Sequence, residues 1–138
     1  MAEAATRRGT RPIAFATRPL YSILVPIPAV CFVGALLTDL AYRGSGGNLL
    51  WLNFSSWLIA AGLLFAALAG LLLLIDAARG AVPWISFGIL LAAWIVEFVN
   101  SLVHARDGWT AVVPLGLILS IVGAVLVLAA ARFAGERR

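Results

Sequence analysis

Residues 54–75 read FSSWLIAAGLLFAALAGLLLLI, a stretch in which no side chain carries a formal charge. Coiled as an α-helix at 1.5 Å rise per residue, it matches the ~30 Å hydrocarbon core of a bilayer. Three more apolar runs of similar length flank it, at residues 20–41, 84–103 and 110–131. The gaps between the four runs are too short to hold a soluble domain. The pattern therefore predicts an all-α fold, an integral membrane four-helix bundle with four transmembrane helices and short loops. A basic segment at residues 1–17 precedes one membrane domain at residues 18–138. No space is left for a nucleotide-binding, nucleic-acid-binding or extramembrane catalytic domain, so any chemistry falls to side chains inside the bundle or at its rims.

The charge distribution agrees. Charged residues make up 12% of the chain, against about 25% in a soluble globular protein. Every basic residue is Arg: Arg7, Arg8, Arg11 and Arg18 precede the first run, Arg79 separates the second and third, and Arg132, Arg137 and Arg138 follow the fourth. Only Arg43 and Arg106 lie on the opposite side. An excess of Arg in short loops marks the cytoplasmic face, so both termini are expected in the cytoplasm and the protein in a bacterial inner membrane. Basic tails so placed suit anionic headgroups rather than nucleic acid. The first run exceeds the apolar core of a cleaved signal peptide and is expected to be retained as a span.

Local signals punctuate the runs. Pro26 and Pro28 near the start of the first predict a kink or a broken first turn, and Pro83 suits the first position of the third helix. Arg43-Gly44-Ser45-Gly46-Gly47-Asn48 is the longest flexible loop, and Asp107-Gly108 makes the last turn. Trp51, Trp84 and Trp109 stand at predicted span ends, where indoles prefer the interface. The single Cys31 lies mid-span and has no partner for an internal disulfide. Helices in lipid associate through small residues on one face; Gly62, Ala66 and Gly70 offer such a seam on the second helix, and Gly116, Ser120 and Ala124 on the fourth. Lipid is one partner; a membrane-protein partner or a second copy is the other kind that such seams admit.

Polar residues within the spans are the sharper signal. Glu97, Asn100, Ser101 and His104 recur at spacings that share one side of the third helix. Glu97 lies about 10 Å inside the end of its helix, where insertion scales put an ionised side chain at roughly 2.5–3.5 kcal/mol. Antiparallel topology brings Asp39 and Thr38, and Ser55 and Ser56, near the same depth, which predicts a polar vestibule in the outward half of the bundle. Asp39 and Arg43, and Asp76 and Arg79, are also spaced for helical ion pairs. Three readings suit the cluster: hydrogen bonding that fixes helix register, a proton or small-solute pathway using Glu97 and His104, or a metal or haem site. For a metal, Asp39, Glu97 and His104 could converge only if the first and third helices adjoin. A bis-ligated haem would need a second His or an internal Met, and the chain has one His and only Met1. No cofactor is expected.

The stretch Arg18-Pro19-Leu20-Tyr21-Ser22-Ile23-Leu24-Val25-Pro26-Ile27-Pro28, followed by Asp39, resembles the opening of the bacterial membrane family called domain of unknown function 2231. Its members begin HPxHPxxVHFP and carry an Asp near the end of the first span. Pro19, Val25, Pro28 and Asp39 keep that pattern, while Arg18, Tyr21 and Pro26 replace its histidines and Ser22 its second proline. Asn100 with Arg106, and the spacing of Gly116 and Gly123, are also similar to the family. The resemblance implies a four-helix membrane protein without an established activity. If the family's histidines bind a cofactor, this chain lacks those ligands. The chain is expected to be a structural or accessory subunit of a membrane complex, with an outward-facing polar cluster on the third helix. A proton-coupled transporter or channel component using Glu97 and His104 is the alternative, and a metal or haem redox subunit the third.

Overall fold

The computed structural model describes residues 23–107 and 110–135, and side chains up to Phe133. The basic segment at residues 1–17, the family-like residues Arg18 to Ser22, Gly108, Trp109, Arg137 and Arg138 lie outside the described residues. Four helices follow one another: α1 (Pro26–Gly44), α2 (Leu49–Ala78), α3 (Trp84–His104) and α4 (Leu115–Gly135). All four are long and apolar enough to cross a membrane.

Their ends follow from local chemistry. A helical turn at Ile23 and Leu24 breaks at Val25, and α1 restarts at Pro26, because Pro26 and Pro28 lack the backbone donors that would join the segments. At 30 residues, α2 exceeds the predicted 54–75 at both ends. It starts early because the Asn48 side chain accepts a hydrogen bond from the Leu50 N–H at 3.0 Å, the usual capping device. The turn before it uses Gly46 and Gly47 at φ 71° and 92°, a region that side chains disfavour. At the other end Gly80, at φ 72°, donates to Ala77 O while Ala81 donates to Asp76 O, the Schellman pattern that satisfies the last carbonyls. Pro83 caps α3 in an extended conformation rather than entering its first turn. The fourth helix starts at Leu115, not 110, since Pro114 disfavours helical geometry in the residue before it.

The helices pack as a ring in which α1 meets α2, α2 meets α3, α3 meets α4, and α4 closes on α1. Helices α1 and α3 thus stand on a diagonal. The core runs through Phe32, Ala66, Ala69, Leu73, Leu90, Ala93, Val127 and Ala130. Gly62 sits directly against the Phe32 ring, where a Cβ would overlap Cδ1 and Cε1, so this glycine sets the α1–α2 approach. The inward seam of α2 continues through Ala66, Ala69 and Leu73, not through Gly70, which is half-buried. A four-residue repeat drifts about 40° per step around a helix of 3.6 residues per turn, and by Gly70 that drift has left the interior. The Trp94 indole N–H donates to Leu63 O at 3.0 Å, tying α3 to α2, and its ring stacks on Phe98 of the same helix at 5.3 Å between centroids. Outward positions carry Trp57, Leu64, Leu71, Ile95, Leu102 and Val125, as a lipid-facing surface requires.

Candidate functional site

Near the end of the bundle that carries the α1–α2 loop, all four helices turn a polar side chain to the axis. Asp39 lies five residues before the end of α1, Ser55 six residues after the start of α2, and Ser120 five residues after the start of α4. At 1.5 Å per residue these depths agree to within about 2 Å. Helix α3 supplies Glu97, Asn100 and His104, at i, i+3 and i+7 on one face. Asp39, Ser55, Glu97, Asn100 and Ser120 are fully buried and His104 almost so.

Asp39 is the hub. Its Oδ1 accepts from Ser55 Oγ at 2.6 Å and faces His104 Nε2 at 2.9 Å. Its Oδ2 accepts from Ser120 Oγ at 2.5 Å. The His104 ring is fixed from its other side, since Nδ1 lies 3.0 Å from Asn100 O. The Asn100 amide donates to Ser120 Oγ at 2.8 Å and to Glu97 Oε2 at 3.0 Å. One hydrogen-bonded network therefore takes in a side chain from each helix. Among its described atoms, Glu97 Oε1 and Asn100 Oδ1 have no hydrogen-bond partner.

Two glycines of α4 make room for this network. Gly116 lies against His104 and Ala111 O, where a Cβ would stand 3.0 and 2.5 Å from Cε1 and the carbonyl oxygen. Gly123 lies under the Glu97 carboxyl, and a Cβ there would overlap Oε1, Cδ and Cγ. Beyond the network, towards the nearer bundle end, Tyr42, Ala111, Val112 and Leu117 form an apolar lid, with Leu36, Trp51 and Leu52 packed against it.

In place of the expected polar vestibule the structure has a buried polar compartment, because Ala111 and Val112, just before α4, pack with Tyr42 and Leu117 and close it off. Of the residues expected in the cluster, Asp39, Ser55, Glu97, Asn100 and His104 come together, and three do not. Thr38 turns back to Ala35 O and Gly34 O, Ser56 to Leu52 O and Ser101 to Phe98 O. Each satisfies its hydroxyl on its own helix, so none has to face inward. Ser120, read from the sequence as a packing residue, belongs to the network instead, and Ala124 keeps its packing place as a buried residue. Gly123 entered only through the family spacing. The signal for both was the i, i+4 and i+7 spacing of Gly116, Ser120 and Gly123, which puts them on one face of α4. Asp39 does not pair with Arg43, which is exposed, because its carboxylate points to the axis. Nor do α1 and α3 need to adjoin: Asp39 and His104 reach each other across the diagonal. Among the described residues no group of three His, Cys, Asp or Glu side chains is placed to share a metal ion.

The geometry also bears on nucleophilic chemistry. Ser55 Oγ lies 3.3 Å from His104 Nε2, but the Asp39 carboxylate faces the same nitrogen. A serine triad needs the carboxylate on Nδ1, opposite the hydroxyl, and here Nδ1 is on a backbone carbonyl. Ser55 is therefore a strut between Asp39 and His104 rather than a residue activated by them.

Fold and site together define a class, a multi-pass α-helical membrane protein whose four spans converge on one sealed polar network. Within that class, the chain belongs to the family domain of unknown function 2231 (DUF2231), described as a predicted membrane protein, whose family model matches residues 17–137. No curated protein and no solved structure matches it.

Proposed function

We propose that this protein is a structural or accessory subunit of a membrane complex, and that its buried network is a clasp holding the four spans in register. The observation that carries this reading is Asp39, which accepts from α2 and α4 and meets α3 while fully buried. Intramembrane polar contacts of this kind contribute about 0.6–2 kcal/mol each, and a shared hub makes them act together. The orientation that suits the Arg distribution places both termini in the cytoplasm of a bacterial cell and the network in the outward half of the inner membrane. A cysteine replacing Ser45 should then react with an impermeant thiol reagent added outside intact cells, and one replacing Gly80 should not. The reverse pattern would invert the assignment.

The second reading, a proton-coupled transporter or channel component, is favoured by one feature, the unpartnered Glu97 Oε1. Intramembrane carboxyls commonly mark proton paths. Glu97→Gln separates the two, since the amide keeps an acceptor for Asn100 and cannot titrate. In proteoliposomes containing a pH-sensitive dye, the structural reading expects wild type and Glu97→Gln to dissipate an imposed pH gradient equally slowly. Faster dissipation by wild type, lost in the variant, would overturn it in favour of the relay.

A further inference from the structure

The number of hydrogens available inside the sealed network can be compared with the number of contacts that need one. Asn100 O only accepts, so the His104 nitrogen facing it, Nδ1, carries a hydrogen. A neutral imidazole has a single N–H, which leaves Nε2 bare. Yet Nε2 stands 2.9 Å from Asp39 Oδ1, and a bare nitrogen facing a carboxylate oxygen at that distance is repulsive. The Ser55 hydroxyl cannot fill the gap, because its hydrogen already serves the 2.6 Å contact with the same Oδ1. The Ser120 hydrogen is likewise committed to Oδ2. The Asp39–His104 contact therefore contains a further proton, on either Nε2 or Oδ1.

In the other half of the network no contact demands a proton, but a buried Glu97 carboxylate would have too few donors to offset its charge. Both Asn100 amide hydrogens are used, one on Ser120 Oγ and one on Glu97 Oε2. Glu97 Oε1 is left buried with no donor, as is Asn100 Oδ1. Turning the Asn100 amide over does not help. Its oxygen would then face Glu97 Oε2, and that contact would itself require a proton on the carboxyl. Among the described residues, no cation from another element compensates: α2 contributes Ser55 and α4 contributes Ser120, while Arg43 and Arg106 are exposed. Without added protons the network would bury two carboxylates and a neutral histidine in hydrocarbon, where unpaired charge is strongly disfavoured.

We propose that the network is a two-proton binding site, one proton shared between Asp39 and His104 and the other on Glu97, so that the loaded cluster is electrically neutral. The two positions are joined through Asn100 and Ser120, which makes occupancy at one felt at the other. The inference rests on the sealed network described above and is separate from whether the protein is an accessory subunit.

Because the chain has one histidine, its ring-nitrogen resonances need no assignment to a residue, only Nδ1 told from Nε2. The full-length protein, labelled with nitrogen-15 histidine and reconstituted in phospholipid, is measured at neutral pH by solid-state NMR. Infrared spectra of the same preparation record protonated carboxyl C=O bands, with carboxyl-labelled glutamate or aspartate identifying their source. The expected result is a total of two: a protonated glutamic acid band, plus either a protonated Nε2 or a protonated aspartic acid band. Glu97→Gln should remove the glutamic acid band and leave the proton of the Asp39–His104 pair, on whichever partner the wild type carries it. Wild type alone suffices if that variant does not assemble. A total of one or none at neutral pH would overturn the proposal, as would a glutamic acid band that persists in folded Glu97→Gln.

Discussion

Asp39→Ala is expected to be the most damaging single substitution in the chain, lowering unfolding free energy in detergent by about 3–5 kcal/mol, the range for removing one partner of a buried polar pair. The size follows from what is left behind. Ser55, Ser120 and His104 all lose the Asp39 carboxylate at once, and Ser55 keeps only longer contacts, with Ala35 O at 3.4 Å and His104 Nε2 at 3.3 Å. Asp39→Asn should cost less, about 1–3 kcal/mol. It keeps the volume and one acceptor oxygen, but sets an amide donor against either the Ser120 or the His104 side. Denaturant titration followed by tryptophan fluorescence orders the two variants. Equal, small losses would mean that Asp39 is not the hub.

Gly123→Ala is expected to come next, at about 3 kcal/mol, the upper part of the range for overpacking a core. A methyl group there would occupy the place of the Glu97 carboxyl. That carboxyl cannot swing away without abandoning Asn100 and entering hydrocarbon, so loss of the hydrogen bond adds to the steric term. The mechanism predicts its own suppressor: Glu97→Ala should be less harmful, or even favourable, in the Gly123→Ala background. Simple additivity of the two losses would show that Gly123 acts by some route other than making room for Glu97.

The four spans were legible from length and apolarity alone, because a bilayer imposes both on any helix that crosses it. Helix ends were less so. The extension of α2 to Leu49 depends on a capping bond by Asn48, and the late start of α4 on the constraint from Pro114; both are local backbone events that an apolar run does not record. The interior polar residues divided along the same line. Asp39, Glu97, Asn100 and His104 are too polar to face lipid and could be placed inward from sequence. Thr38, Ser56 and Ser101 could not be sorted, since a hydroxyl can satisfy itself on the preceding turn of its own helix and then face any direction. Ser120 reads as a packing residue for the related reason that a serine is small enough to serve as one. The lid of Tyr42, Ala111 and Val112 is a tertiary contact between α1 and the residues before α4, and no periodicity announces it.

That all four helices depend on one shared acceptor is tested most directly by a double-mutant cycle between Asp39 and His104, read as unfolding free energy in a single detergent. The network predicts that Asp39→Ala with His104→Ala is hardly less stable than Asp39→Ala alone, a coupling well above the roughly 0.5 kcal/mol within which independent sites add. Additive losses within that margin would contradict it, and Asp39 would then not be the acceptor on which the four spans converge.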